Sequence, residues 1–172
     1  VGRAFRIRTL RLSAVAHYLD ELTWLPIRRS LLIDLKMLVE DTSQGDRGTT
    51  ELALYQIDLA KFALINDTYG EEFGDRALKL VAETLTTLSE QEGSVYRLGG
   101  NSFGLLGWVE HGDWQHDALA DEIQAGIARA SKTLQADLVM TAHVGVATAQ
   151  LASLSAQEIL NEASIALAAA KQ

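Results

Sequence analysis

Two adjacent glycines followed by neutral polar residues mark the stretch 96–103, which is Tyr-Arg-Leu-Gly-Gly-Asn-Ser-Phe. Gly99 and Gly100 lie between apolar runs, a pattern that predicts a tight β-hairpin with close backbone approach. Asn101 and Ser102 follow directly. Amide and hydroxyl groups donate and accept hydrogen bonds but carry no charge. The turn therefore offers polar recognition without an ionised group.

A second polar cluster, formed by His111, Asp113 and His116, follows the hairpin in sequence. His and Asp at this spacing could bind a metal ion. No further strong ligand is evident nearby, so we favour a polar surface loop. The sequence contains no P-loop, nucleophile elbow, His-Glu-x-x-His motif or Rossmann fingerprint. The hairpin is therefore the main indication of function.

The composition predicts one globular domain that does not bind nucleic acid. The chain has 172 residues, of which 48% are hydrophobic, and this is enough to bury a sizeable core. The net charge of −8 opposes nucleic-acid binding, because that binding needs clustered Lys and Arg. A small anionic ligand remains compatible, since one local pocket can oppose the overall charge.

The sequence also suggests where the protein resides. It has no Cys, no apolar run long enough to span a bilayer and no signal peptide. We therefore expect a cytoplasmic domain. Because the chain begins at Val1 rather than Met, we expect that it could be the cytoplasmic part of a longer, membrane-anchored protein.

Hydrophobic periodicity and turn residues predict an α+β domain with helices covering a largely antiparallel sheet. Ser155 is the predicted N-cap of the last helix, and residues 66–70 form a predicted turn. The predicted helices are 4–22, 27–39, 59–65, 74–88, 117–134 and 156–171, and the predicted strands are 52–57, 95–98, 103–109 and 138–148. One face of the last strand carries Met140, Ala142, Val144 and Val146.

The first helix defines a separate N-terminal unit. Phe5, Leu12 and Leu19 are spaced by seven, which indicates a short coiled-coil seam. We favour a connector helix over residues 1–24 that pairs with a second copy, followed by one domain over residues 25–172. The alternative is a helix that packs on its own domain.

Several motifs, in order and spacing, resemble the GGDEF family of bacterial diguanylate cyclases over nearly the whole chain. The family fold is a five-stranded sheet surrounded by helices, similar to nucleotide cyclases. Its members join two GTP molecules into cyclic di-GMP, and each subunit of a dimer presents one GTP. The matching segments are 20–29 (Asp-Glu-Leu-Thr-Trp-Leu-Pro-Ile-Arg-Arg), 57–59 (Ile-Asp-Leu), 66–70 (Asn-Asp-Thr-Tyr-Gly), 74–75 (Gly-Asp), the 99–100 hairpin and 166–171 (Ala-Leu-Ala-Ala-Ala-Lys).

The resemblance implies a metal site that this chain has changed. In the family, Mg²⁺ is held by an Asp, the next carbonyl and an acidic hairpin residue; the first two match Asp58 and Leu59. The signature positions are Gly99, Gly100, Asn101, Ser102 and Phe103, so two carboxylates are replaced. No catalytic position is intact, and we expect Mg²⁺ only together with bound GTP. The alternative role of Asp58 is to cap the following helix.

The base-binding positions of the family survive. Asn66 and Asp75 match its guanine readers, since a carboxylate can accept from guanine N1–H and N2–H₂ while an amide donates and accepts. The alternative is a purely structural turn and helix start. Lys171 matches a lysine that contacts phosphate, although a cation also suits the end of a helix. Phe62 retains the family's aromatic, whose expected role is packing.

Other positions depart from the family pattern. Ala60 and Ala63 replace an Asp and a Lys, and Ile27 replaces an Asn. Trp24 stands where the family has Gly; it could close part of the nucleotide cleft, or pack between the connector helix and the domain. The feedback motif Arg-x-x-Asp aligns with residues 90–93 (Glu-Gln-Glu-Gly), so feedback binding of cyclic di-GMP is not expected.

These features together predict a degenerate GGDEF domain without cyclase activity. Its expected role is regulation, homodimerisation or GTP sensing, beside an EAL or sensor domain in a longer cyclic di-GMP signalling protein. The first alternative is an active diguanylate cyclase with a relaxed signature, which loss of the hairpin carboxylates disfavours. The second is a protein-binding scaffold that takes no nucleotide.

Overall fold

The computed structural model describes residues 18–41, 51–89, 93–109, 116–135, 137–150, 153 and 155–172. Within them the predicted alternation of helices and strands is present, and the α+β class is confirmed. The elements are α1 (Arg28–Asp41), β1 (Glu51–Leu59), α2 (Phe62–Tyr69), α3 (Glu71–Ser89), β2 (Gly93–Gly99), β3 (Ser102–Val109), α4 (His116–Leu134), β4 (Ala142–Gln150) and α5 (Ala156–Ala170). No helix among these residues is long and apolar enough to cross a membrane.

The strands form one sheet in the order β2-β3-β1-β4, and every neighbouring pair is antiparallel. The four strands match the number predicted from the residue pattern, whereas the family resemblance implied five. Beyond β2, Ile27 makes a single parallel bridge with Arg97, whose backbone N–H donates to Pro26 O at 2.7 Å. Pairing stops there because Pro26 has no N–H and α1 begins at Arg28.

β1 lies between β3 and β4, and its side chains alternate between two cores. Ala53, Tyr55 and Ile57 pack into the core under α3 and α4. Leu52 and Leu54 pack into the opposite core, under α1 and α5. This is the period of two that a strand buried on both faces requires. By the same alternation the polar residues Gln56 and Asp58 lie on the side of α5.

β4 begins and ends later than its predicted bounds, at 142–150 instead of 138–148. The predicted apolar face is nevertheless correct. Met140, Ala142, Val144 and Val146 all pack in the core under α3 and α4. Met140 precedes the strand, yet it is only 2% exposed.

The predicted connector helix over 4–22 lies mostly outside the described residues, and its last part is not helical. Residues 18–27 form a short hairpin-like turn, with a bridge between Leu19 and Pro26. The Asp20 carboxylate accepts from the Thr23 N–H at 2.8 Å and from the Thr23 hydroxyl at 2.7 Å. The segment thus has its own local hydrogen bonds, which replace those of a helix.

Trp24 closes this turn with a φ of 59°, in the left-handed region, and its side chain is 74% exposed. Its backbone N–H donates to Asp20 O at 2.8 Å. The expected packing of Trp24 against the domain is therefore not seen among the described residues. The resemblance places a glycine here, which suits that φ.

The predicted turn over 66–70 is wrong for most of its length, because α2 continues to Tyr69. Ile65 is buried, and the ring of Tyr69 stacks on Phe73 of α3 with centroids 4.7 Å apart. Tertiary packing here outweighs the low helix propensity of Asn, Asp and Thr. The chain turns only at Gly70, where φ is 89°.

α5 crosses β4 at Gly145 with almost no separation. A Cβ at this position would lie 2.5 Å from Ala163 O and closer still to the Leu167 backbone nitrogen. We expect Gly145→Ala to lower the free energy of unfolding by about 2–3 kcal/mol, since helix backbone cannot yield as a side chain can. Gly104→Ala is the matched control, because its Cβ would meet only the Leu98 side chain, at 3.4 Å. Urea unfolding measures both; equal losses would contradict the close approach.

The left-handed backbone of Trp24 gives a second expectation. Trp24→Gly should raise the free energy of unfolding by about 1 kcal/mol, because glycine adopts this φ without the penalty of a Cβ. Glu21→Gly, in the same turn at an ordinary φ, should lower it. Thermal unfolding of the two variants measures whether their stabilities change in opposite directions.

Candidate functional site

A cleft of about 750 Å³ opens where β1 ends beside the β2–β3 turn. It brings together most of the residues that the sequence analysis selected. Of those residues, Gly99, Ser102 and Phe103 are not in the lining, and neither are Trp24 and Ile27. The lining consists of Asp58, Leu59, Ala60, Lys61, Phe62, Ala63, Asn66, Glu71, Asp75, Leu78, Gly100, Asn101, His143 and Lys171.

Asp58 is the centre of a polar cluster at one end of the cleft. It pairs in register with Ser102 of β3, whose hydroxyl donates to Asp58 Oδ1 at 2.5 Å. Lys171 Nζ lies 2.6 Å from the other carboxylate oxygen, Oδ2. Burial acts to raise the pKa of Asp58, but the hydrogen bonds from Lys171 and Ser102 outweigh it and the pKa is lowered. The carboxylate is therefore ionised and has a donor on each oxygen.

Asn101 connects the hairpin turn to the end of β1. Its side-chain Nδ2 donates to Leu59 O at 2.6 Å, and the Leu59 N–H donates to Asn101 O at 3.1 Å. The carbonyl of Leu59 is thus already hydrogen-bonded. The two groups that the resemblance assigns to a metal, Asp58 and the Leu59 carbonyl, do lie side by side, and both accept from this chain's own donors.

The predicted β-hairpin is confirmed, and its turn needs glycine. Gly99 and Gly100 have φ values of 119° and 54°, in the region that side chains disfavour. Beneath the turn, the Arg97 guanidinium donates to Gly100 O and lies 4.6 Å from the centre of the Phe103 ring. Burial lowers the pKa of Arg97, and the nearby carboxylates of Asp20 and Asp75 oppose this shift. Phe103 is fully buried and therefore packs; it does not reach the cleft.

The oxygens of this cluster do not fit a divalent cation as they are arranged. Mg²⁺ requires anionic or carbonyl oxygens with free lone pairs pointing at it. Here a hydroxyl, an amide N–H₂ and an ammonium group point at those oxygens instead. The described residues also contain no group of three or more His, Cys, Asp or Glu side chains that could hold a metal ion.

The other end of the cleft contains the two predicted base-reading residues. Asn66 lies on α2 and Asp75 on α3, and both line the cleft. Gly74 makes room for the amide, since a Cβ there would overlap Asn66 Oδ1 and lie 3.0 Å from Asn66 Cγ. Asn66 Oδ1 is buried without a hydrogen-bond partner. The Asn66 side chain is thus held by close packing against a glycine.

Four lining residues were not selected from the sequence, namely Lys61, Glu71, Leu78 and His143. His143 is the partner of Asp58 across the β1–β4 pairing, and its Nδ1 lies 3.0 Å from Ala170 O. Lys61 precedes α2 with a left-handed φ of 54°. The signal for His143 is the strand register, which one sequence does not reveal.

Two predicted features cannot be placed. His111 and Asp113 of the suggested metal cluster lie outside the described residues, and His116 begins α4. Residues 90–93, which align with the family's feedback motif, also lie mostly outside the described residues. Ala63, which replaces a lysine of the family pattern, does line the cleft.

Comparisons with known proteins point to one family for the whole described chain. The sequence model described as "Diguanylate cyclase, GGDEF domain" matches residues 17–172. "Signaling protein YkoW" of Bacillus subtilis is 30% identical over 159 residues, which are 92% of this chain and 19% of that protein. "Cyclic di-GMP phosphodiesterase PdeB" of Shewanella oneidensis is 34% identical over 132 residues, 70% of this chain and 14% of that protein.

A solved structure shows the same fold. Diguanylate cyclase SiaD of Pseudomonas aeruginosa, crystallised in complex with its activator SiaC, superposes with a TM-score of 0.72 at 29% identity. The match covers 92% of this chain and 59% of that one. This chain spans about a fifth or less of the curated relatives named above.

The contact of Asn66 with Gly74 can be tested by a double-mutant cycle. Alanine in place of a helical glycine usually stabilises a protein, but Gly74→Ala should cost about 1–3 kcal/mol because the new methyl group displaces the buried amide. In an Asn66→Ala background, Gly74→Ala should no longer lower the free energy of unfolding. Urea unfolding of the four proteins gives the coupling energy. Additive effects would show that Gly74 does not position Asn66.

Proposed function

The chain belongs to the GGDEF family, and we propose that it is a guanine-nucleotide-binding regulatory domain that does not synthesise cyclic di-GMP. It acts within a longer cyclic di-GMP signalling protein. The observation that carries this proposal is the difference between the two ends of one cleft. Asn66 and Asp75, the residues predicted to read the base, line one end. At the other end, internal hydrogen bonds occupy Asp58 and the Leu59 carbonyl.

Guanine is the base that this pair of side chains suits. The Asp75 carboxylate accepts from guanine N1–H and N2–H₂, while the Asn66 side-chain N–H₂ can donate to an acceptor of the base, since Asn66 Oδ1 is buried against Gly74. Adenine presents a different order of donors and acceptors and would leave the carboxylate facing a lone pair. The buried packing of Asn66 on Gly74 supports recognition, since a fixed amide loses little entropy on binding.

The charges at the polar end of the cleft support the proposal that the domain does not synthesise cyclic di-GMP. GGDEF cyclases are generally Mg²⁺-dependent, and preorganised charge at the transferring phosphoryl group is typically the largest catalytic contribution. In this cleft the hairpin supplies neutral Asn101 and Ser102, and Asp58 is paired with Lys171. The Mg²⁺ predicted to accompany GTP remains a prediction.

The wider context supports a regulatory role in a longer chain. One relative is named a cyclic di-GMP phosphodiesterase, and a similar solved structure contains an activator protein bound to a cyclase. We propose an adjacent EAL or sensor domain and a homodimeric arrangement. The alternative of an active cyclase is favoured only by relatives with that name, such as "Diguanylate cyclase DgcP" of Escherichia coli.

Titration calorimetry with GTP and ATP tests base reading. We expect GTP to bind and ATP to bind at least about tenfold more weakly, because adenine leaves the Asp75 carboxylate unpaired. Asp75→Ala should weaken GTP binding by about 10–100-fold. Asp121→Ala is the control, because it removes the same charge from an exposed position on α4, outside the cleft.

Two outcomes would contradict the proposal. Equal affinities for GTP and ATP, or no loss with Asp75→Ala, would indicate a scaffold that does not read guanine. Formation of cyclic di-GMP from GTP, measured by chromatography on the unmodified chain, would establish the alternative of an active cyclase.

A further inference from the structure

The polar end of the cleft contains an internal cation in the position where the family's metal would be expected. Lys171 follows the last residue of α5, and its ammonium group lies 2.6 Å from Asp58 Oδ2. The Asp58 side chain is only 13% exposed, whereas that of Lys171 is 42% exposed. A largely buried carboxylate needs a counter-charge, because leaving it unpaired is costly.

We propose that Lys171 is the resident cation of this site, and that the domain therefore binds guanine nucleotide without a divalent metal. The nucleotide part of this inference rests on the proposed function above; the cation part does not. The family's pattern assigns the lysine to phosphate and the aspartate to metal. In this chain the two are paired with each other, so the ammonium group stays on Asp58.

The neighbouring donors make this arrangement complete. Ser102 donates to Asp58 Oδ1 and Asn101 donates to the Leu59 carbonyl, so each oxygen of the cluster has a partner. A metal ion would have to break all three interactions and displace a positive charge. It would gain a single carboxylate in return, which is a poor site for a divalent cation.

The packing of α5 explains why the ammonium group reaches Asp58. The helix lies directly on β4 at Gly145, and Ser164 of α5 donates to Gln56 Oε1 of β1 at 2.8 Å. Gln56 and Asp58 are two residues apart on β1 and therefore lie on the same face of the sheet. The end of α5 is thus held above Asp58 by contacts that involve no ligand.

The charges of the whole cleft agree with the proposal. Its described lining contains three carboxylates and two ammonium groups, which are Asp58, Glu71, Asp75, Lys61 and Lys171. The Asp58–Lys171 pair is neutral as a unit, so it neither attracts a divalent cation nor depends on one.

Binding of Mn²⁺ in the absence of nucleotide tests directly whether Lys171 excludes a divalent cation from Asp58. Mn²⁺ broadens the NMR signals of nearby amides, so selective broadening around residues 58–59 and 100–102 measures binding at the cluster. The single variant Asn101→Asp restores one carboxylate but keeps Lys171. The double variant Asn101→Asp/Lys171→Met restores it and removes the ammonium group. We expect the double variant to bind Mn²⁺ at least about tenfold more tightly than the single one.

A matched variant controls for the change in net charge that Lys171→Met causes. Asn101→Asp/Lys132→Met has the same net charge, but Lys132 lies on α4 outside the cleft. It should bind Mn²⁺ like Asn101→Asp alone. If Asn101→Asp binds Mn²⁺ as tightly as the double variant with Lys171→Met, Lys171 is not the occupant and the proposal is wrong. Well-dispersed NMR spectra establish that each variant is folded.

The unmodified chain gives an independent measurement. The affinity for GTP, measured by calorimetry, should change by less than about twofold between buffer with Mg²⁺ and buffer with EDTA. Tightening by Mg²⁺ of about tenfold or more would overturn metal independence, because it would mean that Lys171 leaves Asp58 when GTP binds. If GTP binds in neither buffer, the proposed function fails, while the manganese experiment still decides the identity of the cation.

Discussion

The alternation of side chains along β1 is the constraint from which the rest of this structure follows. β1 is paired on both edges and covered on both faces, so each of its residues must go to one core or the other. The odd-numbered positions 53–59 enter the core under α3 and α4, and the even-numbered 52 and 54 enter the core under α1 and α5. Asp58 therefore has only one direction available, toward the end of α5. A slip of one residue would bury its charge in the opposite, apolar core.

That direction determines the electrostatics of the cleft. Ser102 and His143 are the register partners of Asp58 on its two neighbouring strands, so both lie beside it on the same face. The close crossing at Gly145 brings α5 down on this face and delivers Lys171 to the carboxylate. The two ends of the cleft are thus built by different means. Packing of Gly74 against the Asn66 amide forms one end. Strand register and the end of α5 form the polar end, around Asp58.

Local signals in the sequence predicted those parts of the fold that local chemistry decides. The glycine pair predicted the hairpin, Ser155 predicted the start of α5, and the face of β4 was correct although its ends were not. Residues 66–69 were misread because the burial of Ile65 and the stacking of Tyr69 on Phe73 keep them helical. The fifth strand was expected from the resemblance, but the chain beside β2 is limited to one bridge by Pro26.

The candidate site was predicted as a set of positions but not as a set of interactions. Asn66, Asp75, Asp58 and Lys171 were selected from motif spacing, and the cleft does bring them together. The pairing of Lys171 with Asp58 joins residues far apart in sequence, and it depends on a helix crossing that no short pattern encodes. His143 was missed for the same reason, since only the strand register places it beside Asp58.

The neutral hairpin residues Asn101 and Ser102 are chemically specific, because each donates a hydrogen bond to an oxygen at the end of β1. With apolar residues at these two positions, the Leu59 carbonyl and one oxygen of Asp58 would lack donors, at a cost of about 1–3 kcal/mol for each buried unsatisfied group. Asn101 and Ser102 instead supply a donor to each. Together with Lys171 they complete the hydrogen bonds of Asp58 and of the Leu59 carbonyl within the chain. The fold of the cleft is then independent of any bound ion at this end, whereas at the other end the buried Asn66 Oδ1 packs against Gly74 without a hydrogen-bond partner.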